Sequence, residues 1–133
     1  MELVSDLGGG KTTFVRGLAN GLKSKNTVTS PTFTLQNIYQ GRGDLEIHHF
    51  DFYRLTDPGV LAAQLVESIG NPNVITVIEW SHIVKGVLPA DRLSIEFQPT
   101  ATSPDERLLT IAYPGSQSVL ITKVESQWQN SRP

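Results

Sequence analysis

The N-terminal part of the chain passes from a short apolar run to a helical pattern across three successive glycines. Residues 2–4, Glu-Leu-Val, are predicted to form a strand that leads directly into the glycines. Between residues 11 and 22 the apolar positions recur at helical spacing, at Phe14, Val15, Leu18, Ala19 and Leu22. The polar residues that follow Gly21 end this pattern. The sequence therefore predicts a strand, a glycine-rich loop and a helix.

The next stretch changes to a period of two. Residues 32–39 alternate between two faces, and the turn sequence Gly-Arg-Gly-Asp separates them from residues 45–53, so we expect a hairpin. A helix is then predicted from Asp57 as N-cap, with Pro58 in its first turn. Its inward stripe is expected to consist of Leu61, Leu65 and Ile69.

The remaining pattern completes a mixed order of strands and helices. Residues 74–78 are continuously apolar and β-branched, as expected of a central strand that is covered on both faces. Residues 92–97 and 107–113 predict a second hairpin, and residues 118–128 predict a closing amphipathic helix. We therefore predict an α/β sandwich with a mixed central sheet, and treat residues 1–133 as a single domain.

Composition narrows the classes of function. The formal net charge is -2, so no overall positive field attracts nucleic acid or an anionic membrane. The chain has no cysteine, which excludes disulfides, thiolate metal sites and thiol catalysis. The N-terminus lacks the pattern of a signal peptide, and no apolar stretch approaches membrane-spanning length. We therefore expect a soluble, cytoplasmic protein whose contact with RNA, if any, is local or made by a partner.

The glycine run is one residue away from a phosphate-binding loop. The pattern G-x-x-x-x-G-K-[ST] fits at Gly10, Lys11 and Thr12, but Ser5 occupies the opening glycine position. In such a loop, backbone N–H groups and the helix N-terminus face the phosphates, the lysine neutralises them and the hydroxyl binds magnesium. The alternative is a flexible turn with a solvated lysine. The preceding strand and following helix favour the phosphate site, and we expect Ser5 to cost strain rather than function.

A phosphate loop also needs a carboxylate at the end of a nearby strand, to hold magnesium or to orient the attacking water. Glu79 ends the buried run 74–78, where open α/β sheets place their ligands, and is the stronger candidate. Asp51 is the second, with an ion pair to Arg54 as its alternative role. The adjacent His48 and His49 must point to opposite faces of a strand, and we assign them an ordinary structural role.

The segments DLGGGKTTFVRGLA, SPTFTLQNIY, HHFDFYRL and VIEW together resemble the bacterial TsaE (YjeE) family, the small ATPases required for threonylcarbamoyladenosine in tRNA. Four ordered motifs between Ser5 and Trp80 carry the resemblance, which continues more weakly to the last helix. It implies a fold similar to phosphate-loop NTPases, binding of ATP or ADP with Mg²⁺, slow hydrolysis alone, and action with the TsaD and TsaB proteins.

The resemblance also implies roles for individual residues. The phosphates would be bound by Gly8, Gly9, Gly10, Lys11, Thr12 and Thr13. Thr12 and Glu79 would hold the magnesium, and Asp51 would act near the metal or the attacking water. Thr32 resembles a switch threonine that senses the terminal phosphate. Trp80 resembles the family tryptophan beside the acidic residue and would help to bind the nucleotide, with core packing as its alternative.

Two departures from the family pattern affect these expectations. Ser5 replaces the usual glycine, and only Met1 to Val4 precede it, where relatives carry a longer first strand that helps to build the adenine side of the site. Three rival functions also remain open: a small-metabolite kinase, a GTPase switch, and a degenerate nucleotide-binding subunit that only docks. The chain has no arginine-rich lid and no N-K-x-D guanine motif, which disfavours the first two.

Overall fold

The computed structural model describes residues 1–6 and 8–133. Along the chain its strands and helices are β1 (Glu2–Val4), α1 (Lys11–Gly21), β2 (Gln36–Gln40), β3 (Glu46–Asp51), α2 (Val60–Gly70), β4 (Val74–Glu79), β5 (Ser94–Pro99), β6 (Arg107–Ala112) and α3 (Ser118–Ser131). Short 3₁₀ segments at Ser81–Val87 and Gly115–Gln117 follow β4 and precede α3. This order confirms the predicted α/β class.

All six strands form one sheet in the order β2-β3-β4-β1-β5-β6. The four inner strands are parallel, and the two edge strands pair antiparallel to their neighbours. The sheet is therefore mixed, as predicted, and each edge strand comes from one of the two predicted hairpins. Strand β4 lies between β3 and β1, which confirms the prediction of a central strand for residues 74–78.

Each face of the sheet has its own apolar cluster. On one face, buried residues of α1 pack against the inner strands, in a cluster that contains Leu3, Val15, Ala19, Val28, Tyr39, Ile47, Val77, Ile95 and Phe97. On the other face, α2 and the 3₁₀ segment after β4 contribute to a cluster of Phe50, Phe52, Leu65, Ile78 and Val84. Consecutive residues such as Val77 and Ile78 enter opposite clusters because side chains alternate along a strand. The two clusters hold α1 and α2 against opposite faces of the sheet.

An ion pair connects β1 to the segments on either side of it. The Nε of Arg92 donates to Glu2 Oε2 at 2.6 Å, and the Ser81 hydroxyl donates to Glu2 Oε1. Burial raises the pKa of Glu2, but the hydrogen bonds from Ser81 and Arg92 outweigh it, so that the pKa is lowered from its ordinary value. The ionised form of Glu2 is therefore the one that the fold stabilises.

At two of the predicted boundaries that differ from the structure, a tight turn replaces the start of the element. Strand β2 begins at Gln36 instead of residue 32, because the N–H of Leu35 closes a turn on the carbonyl of Pro31 at 2.6 Å and Leu35 has a left-handed φ of 68°. The N-cap of α2 is Gly59 instead of Asp57, whose Oδ1 accepts the N–H of Gly59 at 2.9 Å. In both places a tight turn contains residues that the hydrophobic pattern alone would assign to the strand or the helix.

The predicted C-terminal helix is present, but it contributes little to the core. Ile121 is its one buried residue, whereas Val119, Leu120, Val124 and Trp128 are exposed. Over residues 1–6 and 8–133, no helix combines the length and apolar character needed to cross a bilayer.

Candidate functional site

The glycine-rich loop lies between β1 and α1, at the carboxyl edge of the parallel strands. Gly8 and Gly10 have φ values of +75° and +104°, which residues with a side chain rarely adopt. A Cβ at Gly9 would lie 2.2 Å from Ser5 Oγ, so this position also requires glycine. Leu7, within the same motif, lies outside the described residues. The loop conformation therefore depends on all three glycines, and at Gly9 the reason is the side chain of Ser5.

Lys11, the first residue of α1, folds back over this loop and is 7% exposed. Its Nζ donates to Ser5 Oγ at 2.8 Å, to Asp6 O at 3.2 Å and to Ser5 O at 3.3 Å. The same Nζ lies 5.1 Å from the centre of the Trp80 ring, within cation–π range. The lysine is thus held at the loop by three oxygens, two of them from Ser5, and the hydroxyl oxygen is the one that a glycine at this position would lack.

Ser5 itself has no left-handed backbone. Positive φ values outside glycine occur, among the described residues, at Lys23, Leu35 and Trp80. The strain predicted for Ser5 therefore has no source in its φ angle. The serine side chain instead adds a contact, which is its hydrogen bond with Lys11.

The two candidate carboxylates end neighbouring parallel strands. Asp51 is the last residue of β3, Glu79 the last of β4, and the two are register partners. They are 1% and 2% exposed, respectively. The alternative pairing of Asp51 with Arg54 is wrong, since the Arg54 guanidinium lies over the Phe33 ring at 4.7 Å and the described residues show no ion pair between the two. Two buried carboxylates therefore meet at the loop without a basic side chain paired to Asp51.

Asp51 is held at both of its oxygens. Tyr53 donates its N–H to Oδ1 at 2.8 Å, and the Thr32 hydroxyl donates to Oδ2 at 2.8 Å. Burial raises the pKa of Asp51, and the charge of Glu79 acts in the same direction, while the Tyr53 and Thr32 hydrogen bonds oppose the shift. Ser30 Oγ lies 2.8 Å from Thr32 Oγ1 and extends the network. The carboxylate of Asp51 thus has a fixed orientation.

Glu79 is in a different environment. Its Oε1 is closed off from solvent and has no hydrogen-bond partner among the described residues. The nearest basic atom is His49 Nε2, at 3.4 Å. His49 is fully buried, whereas His48, on the opposite face of β3, lies 2.8 Å from Glu46. The predicted opposite orientation of the two histidines is confirmed, but only His49 lies at the site.

One cavity of about 230 Å³ brings these parts together. Its lining consists of Gly8, Gly9, Gly10, Lys11, Thr12, Thr13, Ser30, Thr32, Asp51, Glu79 and Trp80. Every residue that the sequence nominated for the site is among them. Trp80 is half-buried and packs at 4.8 Å from the Tyr53 ring, so it lines the cavity instead of being closed into the core. The roles assigned to these residues stay predictions.

The donor set of the cavity fits magnesium. Thr12, Asp51 and Glu79 offer oxygen ligands, and the carboxylate of Glu79 has an oxygen, Oε1, without a hydrogen-bond partner among the described residues. Mg²⁺ in nucleotide sites takes one or two protein carboxylates together with phosphate oxygens and water. The described residues contain no group of three or more His, Cys, Asp or Glu side chains able to hold a metal. An ion held by these oxygens would complete its coordination with phosphate oxygens and water.

Sequence reasoning missed three residues at this site. His49 was detectable, because the alternation of β3 places it on the same face as Asp51. Ser30 lies in the segment that contains Thr32, but nothing in its pattern distinguished it. Arg107, at the start of β6, donates its Nε to Gly9 O at 3.2 Å across 98 positions of sequence. No local signal predicts a contact over that separation.

The fold and the cavity define an α/β protein with a candidate phosphate-binding loop at the carboxyl edge of its parallel strands. A family model described as "Threonylcarbamoyl adenosine biosynthesis protein TsaE" matches residues 1–108. The chain belongs to the TsaE family, which confirms the resemblance of its four motifs.

Individual relatives agree with this assignment. The "tRNA threonylcarbamoyladenosine biosynthesis protein TsaE" of Haemophilus influenzae is 44% identical over 87 residues, which cover 65% of this chain and 54% of that protein. The protein of the same name in Bacillus subtilis is 33% identical over 135 residues, covering 98% of this chain and 79% of that protein. The matched region thus spans about half the length of the first relative and 79% of the length of the second.

A solved structure has a similar fold. The crystal structure of YdiB from Bacillus subtilis superposes with a TM-score of 0.68 at 32% identity, and the match covers 96% of this chain and 76% of that one. The mixed sheet with its helices is therefore shared with a structure determined by experiment.

Proposed function

We propose that this protein is the magnesium-dependent ATP-binding and ATP-hydrolysing subunit required for threonylcarbamoyladenosine modification of tRNA. Membership of the TsaE family supports the pathway. The observation that carries the biochemical role is the single cavity in which the glycine loop, Lys11, Thr32 and two buried strand-end carboxylates meet. A loop that served only as a flexible turn would require none of these neighbours.

The loop and α1 would bind the phosphates. The N–H groups from Gly8 to Thr13 precede or open a helix, where the helix dipole favours an anion. Lys11 would exchange contacts with loop oxygens for contacts with phosphate oxygens. Thr12 and Glu79 would hold Mg²⁺, which would neutralise charge on the transferred phosphate. Trp80 would cover this part of the site.

Asp51 and Thr32 would serve hydrolysis and sensing. Because hydrogen bonds fix both oxygens of Asp51, its carboxylate has a defined orientation, and it would orient the attacking water or accept its proton. Thr32, bonded to the same carboxylate, would respond to the terminal phosphate. One carboxylate would then couple the reaction to the segment that contains Thr32.

The net charge favours a role within a complex. A chain with a net charge of -2 has no overall basic character with which to hold tRNA. We therefore assign tRNA contact to partner proteins, TsaD and TsaB, and a nucleotide-timed conformational step to this subunit. Turnover would be slow for the isolated protein and increased by its partners.

Measurement of ATP turnover with and without purified TsaD and TsaB tests this proposal. We expect slow release of phosphate alone and faster release in the complex. Turnover that requires a small-molecule acceptor would identify a kinase instead. Nucleotide binding without turnover in either condition would identify the degenerate docking subunit.

Two carboxylate variants test the division of roles. Glu79→Gln should raise the magnesium concentration for half-maximal nucleotide binding about tenfold or more, since it removes a charged ligand worth on the order of 1.5–3 kcal/mol. Asp51→Asn should spare binding and lower turnover about a hundredfold or more. Asp44→Asn, at an exposed carboxylate in the β2–β3 turn, is the matched control. If both site variants behaved like this control, the metal and catalytic sites would lie elsewhere.

A further inference from the structure

His49 is a fully buried polar residue whose ring nitrogens both lack a hydrogen-bond partner among the described residues. It lies two positions before Asp51 on the same face of β3, and its Nε2 is 3.4 Å from Glu79 Oε1. That oxygen is likewise buried and unpartnered. A potential donor and a potential acceptor therefore face each other beneath the cavity.

Leaving such groups unpaired is costly. A buried donor or acceptor without a partner costs about 1–3 kcal/mol, and an apolar residue of similar volume would fill the same space without that cost. Simple packing therefore does not account for a histidine at position 49. A hydrogen bond that His49 forms in another state of the site would account for it.

The polar neighbours of His49 leave Glu79 as the available partner. Asn37, its register partner on β2, already donates its amide to Thr29 O and to the Tyr39 hydroxyl. The Tyr39 hydroxyl itself donates to Thr29 O at 2.8 Å. Val77, its register partner on β4, is apolar. Of these groups, only the carboxylate of Glu79 is not already engaged.

We propose that His49 is a positioning residue for Glu79, with its Nε2–H donating to Oε1 when magnesium and nucleotide are bound. This inference rests on the proposed function, in which Glu79 is a metal ligand. The separation of 3.4 Å exceeds the 2.7–3.2 Å of an N–H···O bond, so the two side chains must approach each other for this bond to form. Oε2 would then remain for the metal, in the cavity that Glu79 lines. Hydrogen bonds from a second residue commonly orient ligating carboxylates in this way.

Magnesium titrations of histidine variants test this role. His49→Leu removes the donor, His49→Gln keeps an N–H donor on a side chain of similar reach, and His48→Leu changes the adjacent histidine on the opposite face. Calorimetry would measure ADP affinity across a magnesium series and again in EDTA. We expect His49→Leu to raise the magnesium midpoint about tenfold or more. His49→Gln should restore most of that loss, and His48→Leu should match the parent.

Affinity for ADP in EDTA should be the same for all these proteins, because the proposed contact acts through the metal ligand. Equal loss of affinity with and without magnesium in His49→Leu would show that His49 only supports the fold, and would overturn the proposal. A parental midpoint in His49→Leu alongside a raised one in Glu79→Gln would also overturn it, leaving the proposed function intact. A parental midpoint in both would contradict the metal role of Glu79.

A second measurement uses the parent protein and does not depend on how the variants fold. Side-chain ¹⁵N NMR of His49 distinguishes a proton on Nε2 from one on Nδ1. We expect the proton on Nε2, with a chemical-shift change typical of a stronger hydrogen bond on addition of Mg·ADP. A proton on Nδ1 in the nucleotide-bound protein would place a lone pair against Glu79 and would refute the proposal.

Discussion

Replacing Ser5 by glycine, the residue usual in the family, should strengthen ATP binding. In the structure the Ser5 hydroxyl is 2.8 Å from Lys11 Nζ, the shortest of the three hydrogen bonds that this ammonium group makes. An ammonium group has three donors, so Lys11 must release at least one oxygen before it can meet a phosphate. Removing the hydroxyl removes one competitor of the nucleotide.

The size of the effect follows from this contact. A hydrogen bond to a charged group contributes about 1.5–3 kcal/mol, and water replaces part of it in the variant. We therefore expect a gain of about 1 kcal/mol, or roughly fivefold in affinity. The gain should appear for ATP and ADP with magnesium. It should be absent in a Lys11→Ala background, where no ammonium group remains to be released.

Calorimetric titration of the parent, Ser5→Ala and Ser5→Gly measures this effect. Alanine removes only the hydroxyl, whereas glycine also removes the Cβ that lies near Gly9. If the hydroxyl is responsible for the effect, the two variants should gain nucleotide affinity by the same factor. Affinity equal to or weaker than that of the parent in both variants would refute the reasoning, and would indicate that the hydroxyl contributes a favourable contact to the bound phosphates.

Three further predictions concern other contacts. Lys11→Ala should weaken binding of Mg·ATP by about 1.5–3 kcal/mol in calorimetry, and equal affinities would contradict its phosphate role. Thr32→Ala, which loses the bond to Asp51, should retain ADP affinity but lose the distinction between ATP and ADP; retained discrimination would exclude a sensing role. Arg92→Met should lower the free energy of unfolding by about 1–3 kcal/mol at neutral pH, measured with urea. Because the folded-state pKa of Glu2 is lowered from its ordinary 4.5, the pair stabilises the fold above that value and loses its contribution as pH falls through the lowered pKa. A difference between parent and Arg92→Met that does not diminish as the pH is lowered stepwise below 4.5 would contradict this assignment.

The elements of the fold were predictable where the hydrophobic pattern was long and regular. Residues 74–78 are apolar throughout, and they form an inner strand because both faces of the sheet are covered. The start of β2 was not predictable, because residues 32–35 continue the alternation of the strand while the Leu35 N–H bonds to Pro31 and turns the chain. The periodicity of the sequence indicates which face of a strand each side chain would occupy. It does not indicate whether a turn interrupts the strand.

The candidate site was predictable for a different reason. The site consists of glycines, a lysine and two acidic residues at the ends of strands or helices. Their residue types and positions in the sequence indicate their chemistry, so the sequence identified them together. The role of Ser5 was not predictable, since its contact with Lys11 forms only because the Lys11 side chain lies back over the loop. His49 was set aside because the sequence shows a neighbouring pair of histidines. The register of β3 with β4 brings one of the pair beside Glu79.

The segment around Thr32 is attached to the fold both at the cavity and away from it. Thr29 exchanges two hydrogen bonds with the Tyr39 hydroxyl, one through its N–H and one through its carbonyl, and neither Thr29 nor Tyr39 lines the cavity. Thr32 is attached through Asp51, which does line it. We therefore expect a nucleotide in the cavity to compete for the attachment through Thr32 and to leave the attachment through Thr29 intact. The carbonyl of Leu35 accepts the N–H of Asp51 at 3.0 Å, and strand β2 begins at Gln36. We therefore expect the response to nucleotide to be confined to residues 30–34.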